Sequence, residues 1–83
     1  MAIRDVLAEQ TLLQLAELGA TLREARQAAR ISREEFAERT ALSVSTIRRL
    51  EAGDAGVAMG AYVSAMLYLK PLAMQLIQQA FRA

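Results

Sequence analysis

Two arginines and a serine in the middle of the chain could donate hydrogen bonds to a partner that is rich in acceptor atoms. Ser45, Arg48 and Arg49 surround the apolar residues Ile47 and Leu50. In a helix of 3.6 residues per turn, the apolar pair forms one narrow buried ridge, and the three polar residues lie on other faces. Guanidinium groups bond phosphate and guanine through paired N–H donors. The stretch therefore predicts a helix with a wet polar face that is shaped to enter a groove.

The residue types that most catalytic and metal sites require are missing from the sequence. There is no cysteine, which excludes disulfides and thiolate metal ligands, and there is no histidine, the commonest general base. Glu34, Glu35 and Glu38 cluster, but they fall on the wet face of a short predicted helix, where charged residues normally lie. We therefore expect no catalytic residues, no enzyme activity, no cofactor and no metal site.

Capping signals divide the stretch 33–52 into two short helices joined by a tight turn. Ser32 followed by Glu35 predicts a capping box at the start of the first helix. The helical pattern breaks at residues 40–42, and Ser43 is a good N-cap residue for the second helix. The polar face described above belongs to this second helix.

These two helices resemble the helix-turn-helix motif of the Cro/C1 (XRE) family of bacterial and phage repressors. The resemblance rests on Arg33 as the opening polar residue, Ala37 as the small residue between the helices, Leu42 in the turn, Ile47 and Leu50 as the buried pair, and Glu51 followed by Ala52-Gly53. It extends over residues 18–69. The family usually has glycine where this chain has Ala41. Because glycine reaches positive φ without the steric cost that alanine bears, we expect Ala41 to be mildly strained or the turn to differ slightly.

The resemblance implies an all-α fold, a compact five- or six-helix lambda-repressor-like DNA-binding domain with extra N-terminal and C-terminal helices. It implies that the helix 43–52 lies in the major groove of double-stranded DNA. The implied base readers are Val44, Ser45, Arg48 and Arg49, and Arg48 could hold a phosphate instead. The implied phosphate contacts are Arg33, Ser43, Thr46, Arg23 and Arg30, with solvated charge as the alternative for each surface arginine. Arg26 and Glu51 are implied to form a structural ion pair within the protein.

The sequence before the motif predicts one or two helices. Residues 2–18 are strong helix formers, and Gly19 suits a helix C-cap. Thr21 and Glu24 form a second capping box, which predicts a new helix over residues 22–30. One kinked helix that runs through Gly19 is the alternative, at a cost of roughly 1 kcal/mol relative to alanine.

The sequence after the motif predicts two more helices. The first covers residues 57–69, and Pro71 suits the first turn of a last helix over residues 71–82. The apolar residues of that last helix spread over more than one side, which favours packing against a second subunit. The predicted dimerisation residues are Leu72, Leu76, Ile77, Ala80 and Phe81. The N-terminal helix is the second choice for the dimer contact.

Composition and charge favour a small helical domain that associates with itself. The 83 residues allow one domain over residues 1–83, and 54% of them are hydrophobic, more than so short a monomer can bury. The net charge is only +1, but residues 21–53 contain seven arginines and only five acidic residues. This asymmetry points mildly to nucleic acid, with a salt-bridged solvated surface as the alternative. No transmembrane run or signal segment is visible, so we expect a cytoplasmic protein, associated with the nucleoid when bound to DNA.

The leading hypothesis is therefore a transcriptional repressor. It would bind an inverted-repeat operator as a homodimer and block transcription by promoter occlusion. Small stand-alone proteins similar to this one are typical of phage and plasmid regulation. Two alternatives stay open: an antitoxin that binds a toxin and regulates its own operon, and a helical protein–protein adaptor that keeps the helix-turn-helix shape.

Overall fold

The computed structural model describes the backbone of residues 3–82 and the side chains of residues 3 and 5–70. Helices α1 (Ile3–Ala28), α2 (Arg33–Thr40), α3 (Val44–Glu51) and α4 (Met59–Arg82) make up the regular structure of this part of the chain. The prediction of an all-α fold is confirmed. The prediction of five or six helices is wrong, because two expected helix breaks do not occur.

The first missing break is at Gly19, which lies inside α1. The predicted C-cap at Gly19 and the predicted helix start after Thr21 are therefore wrong. The alternative, one helix that runs through Gly19, is correct in its extent. Gly19 is buried, and a Cβ on it would lie 2.7 Å from backbone atoms of Leu50, Glu51 and Gly53. The glycine thus permits close contact between α1 and the end of α3 rather than ending the helix.

The second missing break is at Pro71, which lies inside α4 rather than in the first turn of a new helix. A proline inside a helix removes one backbone hydrogen bond, but the helix formers on both sides continue the helix past it. The predicted dimerisation residues Leu72, Leu76, Ile77, Ala80 and Phe81 follow on α4. Their side chains lie outside the part of the chain that the structure describes.

The core lies where the two short helices pack against the two long ones. Phe36 of α2 and Ile47 and Leu50 of α3 are fully buried. The ring of Phe36 contacts the ring of Tyr68 on α4, with centroids 5.8 Å apart. α1 contributes Leu22 to the same cluster. The short helices are thus held by burial of their apolar side chains rather than by helix propensity.

Apolar side chains remain exposed on both long helices. Every side chain from residue 5 to residue 14 of α1 is exposed. The large exposed apolar residues are Ile3, Val6, Leu7, Leu12 and Leu13 on α1 and Met59, Val63, Met66 and Leu67 on α4. We call these nine residues the apolar surface. Over the described residues, none of the helices combines the length and the hydropathy that crossing a lipid bilayer requires.

Candidate nucleic-acid interface

The turn between α2 and α3 has the geometry expected of a helix-turn-helix unit. Ala41 adopts the left-handed conformation, with φ 59° and ψ 28°. Leu42 donates its backbone N–H to the carbonyl of Ala37 at 3.0 Å, which closes the end of α2. The first of the two expectations for Ala41, mild strain in an ordinary turn, is the one found. Alanine bears this strain because its Cβ crowds the backbone at positive φ.

Replacing Ala41 with glycine should stabilise the protein by about 1 kcal/mol, since the left-handed strain disappears. Chemical denaturation followed by circular dichroism measures this gain. Ala52 is the matched control, because it also caps a helix and is exposed but has φ −83°. Ala52→Gly should give no gain, and equal effects of the two substitutions would contradict the strain at Ala41.

Two serines cap the helices of the motif. The hydroxyl of Ser32 accepts the backbone N–H of Glu35 at 3.0 Å, and that of Ser43 accepts the backbone N–H of Thr46 at 3.0 Å. The carboxylate of Glu35 does not complete a capping box but lies 3.7 Å from Arg39. The Ser43 hydroxyl also bonds the hydroxyl of Thr46 at 2.9 Å. Both predicted phosphate-binding hydroxyls are therefore already engaged in holding the start of α3.

α3 has one buried side and one exposed side. Ile47, Leu50 and Glu51 are buried, and Val44 is half-buried against the core. The exposed residues are Ser45, Arg48 and Arg49 of α3 and its C-cap residue Ala52, and we call these four residues the outward face. At 100° per residue these four side chains project within one sector of the helix. Three of the four predicted base readers thus lie on the outward face, and Val44 lies at its edge.

Glu51 anchors the end of α3 through two arginines. Its Oε2 lies 2.6 Å from Nε of Arg26, and its Oε1 lies 3.0 Å from Nε of Arg33. Arg26 also donates to the backbone carbonyl of Ile31 at 2.8 Å. The side chains of Arg26 and Glu51 are only 8% and 2% exposed. The ion pair implied by the resemblance is thus present inside the protein, away from the outward face.

Arg33 is the arginine whose surroundings differ most from the expectation. Predicted to contact phosphate, it is half-buried and donates to the same carboxylate as Arg26. This second partner of Glu51 was missed because the two residues are 18 positions apart, a separation that no helical periodicity reveals. The remaining N–H groups of Arg33 could still reach a phosphate. Arg23 and Arg30 are exposed, and Arg30 follows α1 with φ 60°.

Arg49 has a partner that the sequence did not reveal. Its Nε lies 2.9 Å from Oδ2 of Asp54, in the loop after α3. The hydrogen bond from Arg49 and the backbone N–H of Gly56 lower the pKa of Asp54, while the Asp54 carboxylate raises the pKa of Arg49. Tyr62 donates its hydroxyl to the backbone carbonyl of Asp54 at 2.8 Å, and burial raises the pKa of that hydroxyl. The guanidinium of Arg49 is therefore held by Asp54 at its Nε edge, while the side chain stays half-exposed.

The backbone of this loop is also tied to the protein. The N–H groups of Gly53, Asp54, Gly56 and Val57 donate to acceptors within residues 49–54. Gly53 has φ 75° and its Cβ position lies 2.6 Å from the backbone of α1. These four N–H groups are therefore already bonded within the protein.

Comparison with known families agrees with this geometry. Residues 17–69, more than half of the chain, match the sequence model of a protein family that is described as a helix-turn-helix domain. The match nearly coincides with the span 18–69 of the resemblance drawn from the sequence. Neither a curated protein nor a solved structure gives a significant match. The chain therefore belongs to this family of helix-turn-helix domains, of the Cro/C1 type, and membership in the family implies DNA binding.

Proposed function

We propose that the protein is a sequence-specific transcriptional repressor that binds an inverted-repeat operator as a homodimer, with no enzymatic role. The observation that carries this proposal is the outward face of α3. Two arginines and a serine project from a short helix whose opposite side is locked into the core. A helix with one buried side and one exposed polar side fits the major groove of B-DNA, which is about 12 Å wide.

In the proposed complex α3 enters the major groove with its N-terminal residues towards base edges. Arg49 and Arg48 suit guanine, whose O6 and N7 accept two N–H donors, and Ser45 can bond several bases. The half-buried Val44 offers a methyl group to thymine at the edge of the helix. Positive potential near the phosphates comes from Arg33, Arg23 and Arg30, and Thr46 keeps its own O–H donor while its oxygen accepts from Ser43. Ser43, the other predicted phosphate contact, holds the start of α3 instead. The sequence-independent attraction of the arginines makes binding depend steeply on salt.

The apolar surface supports the homodimer. An isolated helix end of about ten residues is marginal in water, yet every side chain of residues 5–14 of α1 is exposed in the part of the chain that the structure describes. A second copy would bury these leucines together with the exposed methionines of α4. Two copies read inverted half-sites about 34 Å apart and gain specificity over one copy. Occupied promoter DNA is then unavailable to polymerase, which is repression by occlusion.

The same apolar surface keeps one alternative open, namely an antitoxin that binds a toxin and represses its own operon. Ile3 and Met59 are 79% and 80% exposed, so the surface extends over both long helices. It could seat a different protein as well as a second copy. Sedimentation of the purified chain separates the two: a stable dimer favours the repressor, and a monomer favours a separate protein partner.

Selection of bound sites from a random DNA pool tests the proposed function. We expect an inverted repeat whose half-sites lie about one helical turn apart. Arg49→Ala should remove discrimination at one base pair of each half-site, worth roughly 1–3 kcal/mol, because a bidentate arginine–guanine contact is lost. Binding to single-base variants of the selected site measures this loss.

Arg39→Ala is the matched control for Arg49→Ala. Arg39 is an exposed arginine of α2 in an ion pair with Glu35, so the variant removes the same charge away from the outward face. It should lower affinity for all sequences evenly, by a small amount. A uniform effect of Arg49→Ala would contradict base reading, and failure to select any sequence would contradict the proposed function.

A further inference from the structure

Asp54 is held in place on three sides. Its Oδ2 accepts Nε–H of Arg49 at 2.9 Å, its Oδ1 accepts the backbone N–H of Gly56 at 2.6 Å, and its carbonyl accepts the hydroxyl of Tyr62 at 2.8 Å. Tyr62 is buried, so this last bond ties the loop to the core. The carboxylate is therefore a fixed point beside the outward face of α3.

The contact with Asp54 uses only one edge of the Arg49 guanidinium. A guanidinium has five N–H donors in a rigid plane, and the Nε–H lies on the edge opposite to Nη1. Because Asp54 binds at Nε, the tip formed by Nη1 and Nη2 keeps a pair of parallel donors. Two parallel donors in one plane are what the O6 and N7 atoms of guanine accept.

We propose that Asp54 is a positioning residue that makes Arg49 a guanine reader. This inference rests on the proposed function, since it assumes that the outward face meets base pairs. A free arginine loses conformational freedom when it is ordered on binding, and the bond to Asp54 imposes much of that order beforehand. Its negative charge also disfavours the use of Arg49 on a phosphate, because like charges repel. Asp54 thus raises discrimination while it lowers affinity for non-specific DNA.

The opposite role for Asp54 is that of a decoy that occupies Arg49 until DNA displaces it. A decoy and a positioning residue predict different results for the same variant. Removing a decoy strengthens binding to all sequences by one factor and leaves discrimination unchanged. Removing a positioning residue weakens discrimination at one base pair only.

Asp54→Asn tests the proposal, because its amide oxygen can still accept the N–H of Gly56 while the charge that holds Arg49 is gone. Asp54→Ser is a second variant, whose hydroxyl can cap the same turn but is too short to reach Arg49. The measurement is affinity for the selected operator and for a set of its single-base variants. At the base pair whose preference Arg49→Ala abolishes, we expect discrimination to fall roughly three- to tenfold, the worth of ordering one side chain.

Two controls make the result specific. Glu38→Gln removes the same charge from an exposed position on α2, and it should change affinity for all sequences alike. In an Arg49→Ala background, Asp54→Asn should cause no further loss of discrimination. Unchanged discrimination in both Asp54 variants, or an equal shift at every base pair, would overturn the proposal. If the unmodified chain selects no sequence, the proposed function fails, and the role of Asp54 fails with it.

Discussion

Gly19→Ala should destabilise the protein by roughly 2 kcal/mol, which is the overpacking cost less the gain in helix propensity. Alanine normally stabilises a helix by about 1 kcal/mol relative to glycine, so the expected sign is opposite to helix propensity. A Cβ at position 19 would meet the carbonyl oxygens of Leu50 and Glu51 and the nitrogen of Gly53, each at 2.7 Å. These are backbone atoms, which cannot rotate away as a side chain can. α1 must therefore move away from α3. Overpacking of this kind typically costs up to about 3 kcal/mol, which exceeds the gain in helix propensity.

Urea denaturation measures the loss, and Gly60→Ala is its matched control. Gly60 lies in the first turn of α4, where a Cβ would meet nothing within 4 Å. Only propensity acts there, so this variant should be neutral or more stable by a few tenths of a kcal/mol. If Gly19→Ala were as stable as Gly60→Ala, the close contact between α1 and the end of α3 would be refuted.

Gly19 and Pro71 show why local sequence rules failed at two positions of this fold. Gly19, with a capping box after it, looks locally like a helix end, and its true role depends on residues more than 30 positions away. Pro71 is a second case, because the strong helix formers around it decide the outcome rather than the proline alone. The helix count failed at these two positions because tertiary contacts and neighbouring residues override local signals.

The helix-turn-helix unit was predictable because its signals are local. Ser32 and Ser43 cap the helices that follow them, and the spacing of Ile47 and Leu50 sets the buried side of α3. The partners of its charged residues could not be predicted from local spacing. The pairing of Arg26 with Glu51 came from resemblance to a family, not from spacing. Asp54 was missed because its contact to Arg49 crosses the end of a helix, where the 3- and 4-residue spacing no longer applies.

Glu51→Ala should destabilise the protein by about 3–5 kcal/mol, the usual cost of removing one partner from a buried ion pair. The substitution leaves the guanidinium of Arg26 with the carbonyl of Ile31 but without an anion, at only 8% exposure. Arg33 loses its partner as well, but it is 37% exposed and can turn towards water. Stability of small domains is only 5–15 kcal/mol in total, so the variant should be close to unfolded at elevated temperature. Thermal denaturation followed by circular dichroism measures the shift.

Glu35→Ala is the control for a surface pair. Its carboxylate lies 3.7 Å from Arg39 with both side chains largely exposed, so the loss of stability should stay below about 1 kcal/mol.

A double variant, Arg26→Leu with Glu51→Leu, separates two possible causes of the loss in Glu51→Ala. If the cost of Glu51→Ala comes mainly from the uncompensated charge of Arg26, the double variant should recover much of the stability, since apolar residues can replace a buried pair at little cost. If it recovers none, the ion pair itself stabilises the packing of α3 on α1. A loss in Glu51→Ala no larger than in Glu35→Ala would contradict both accounts.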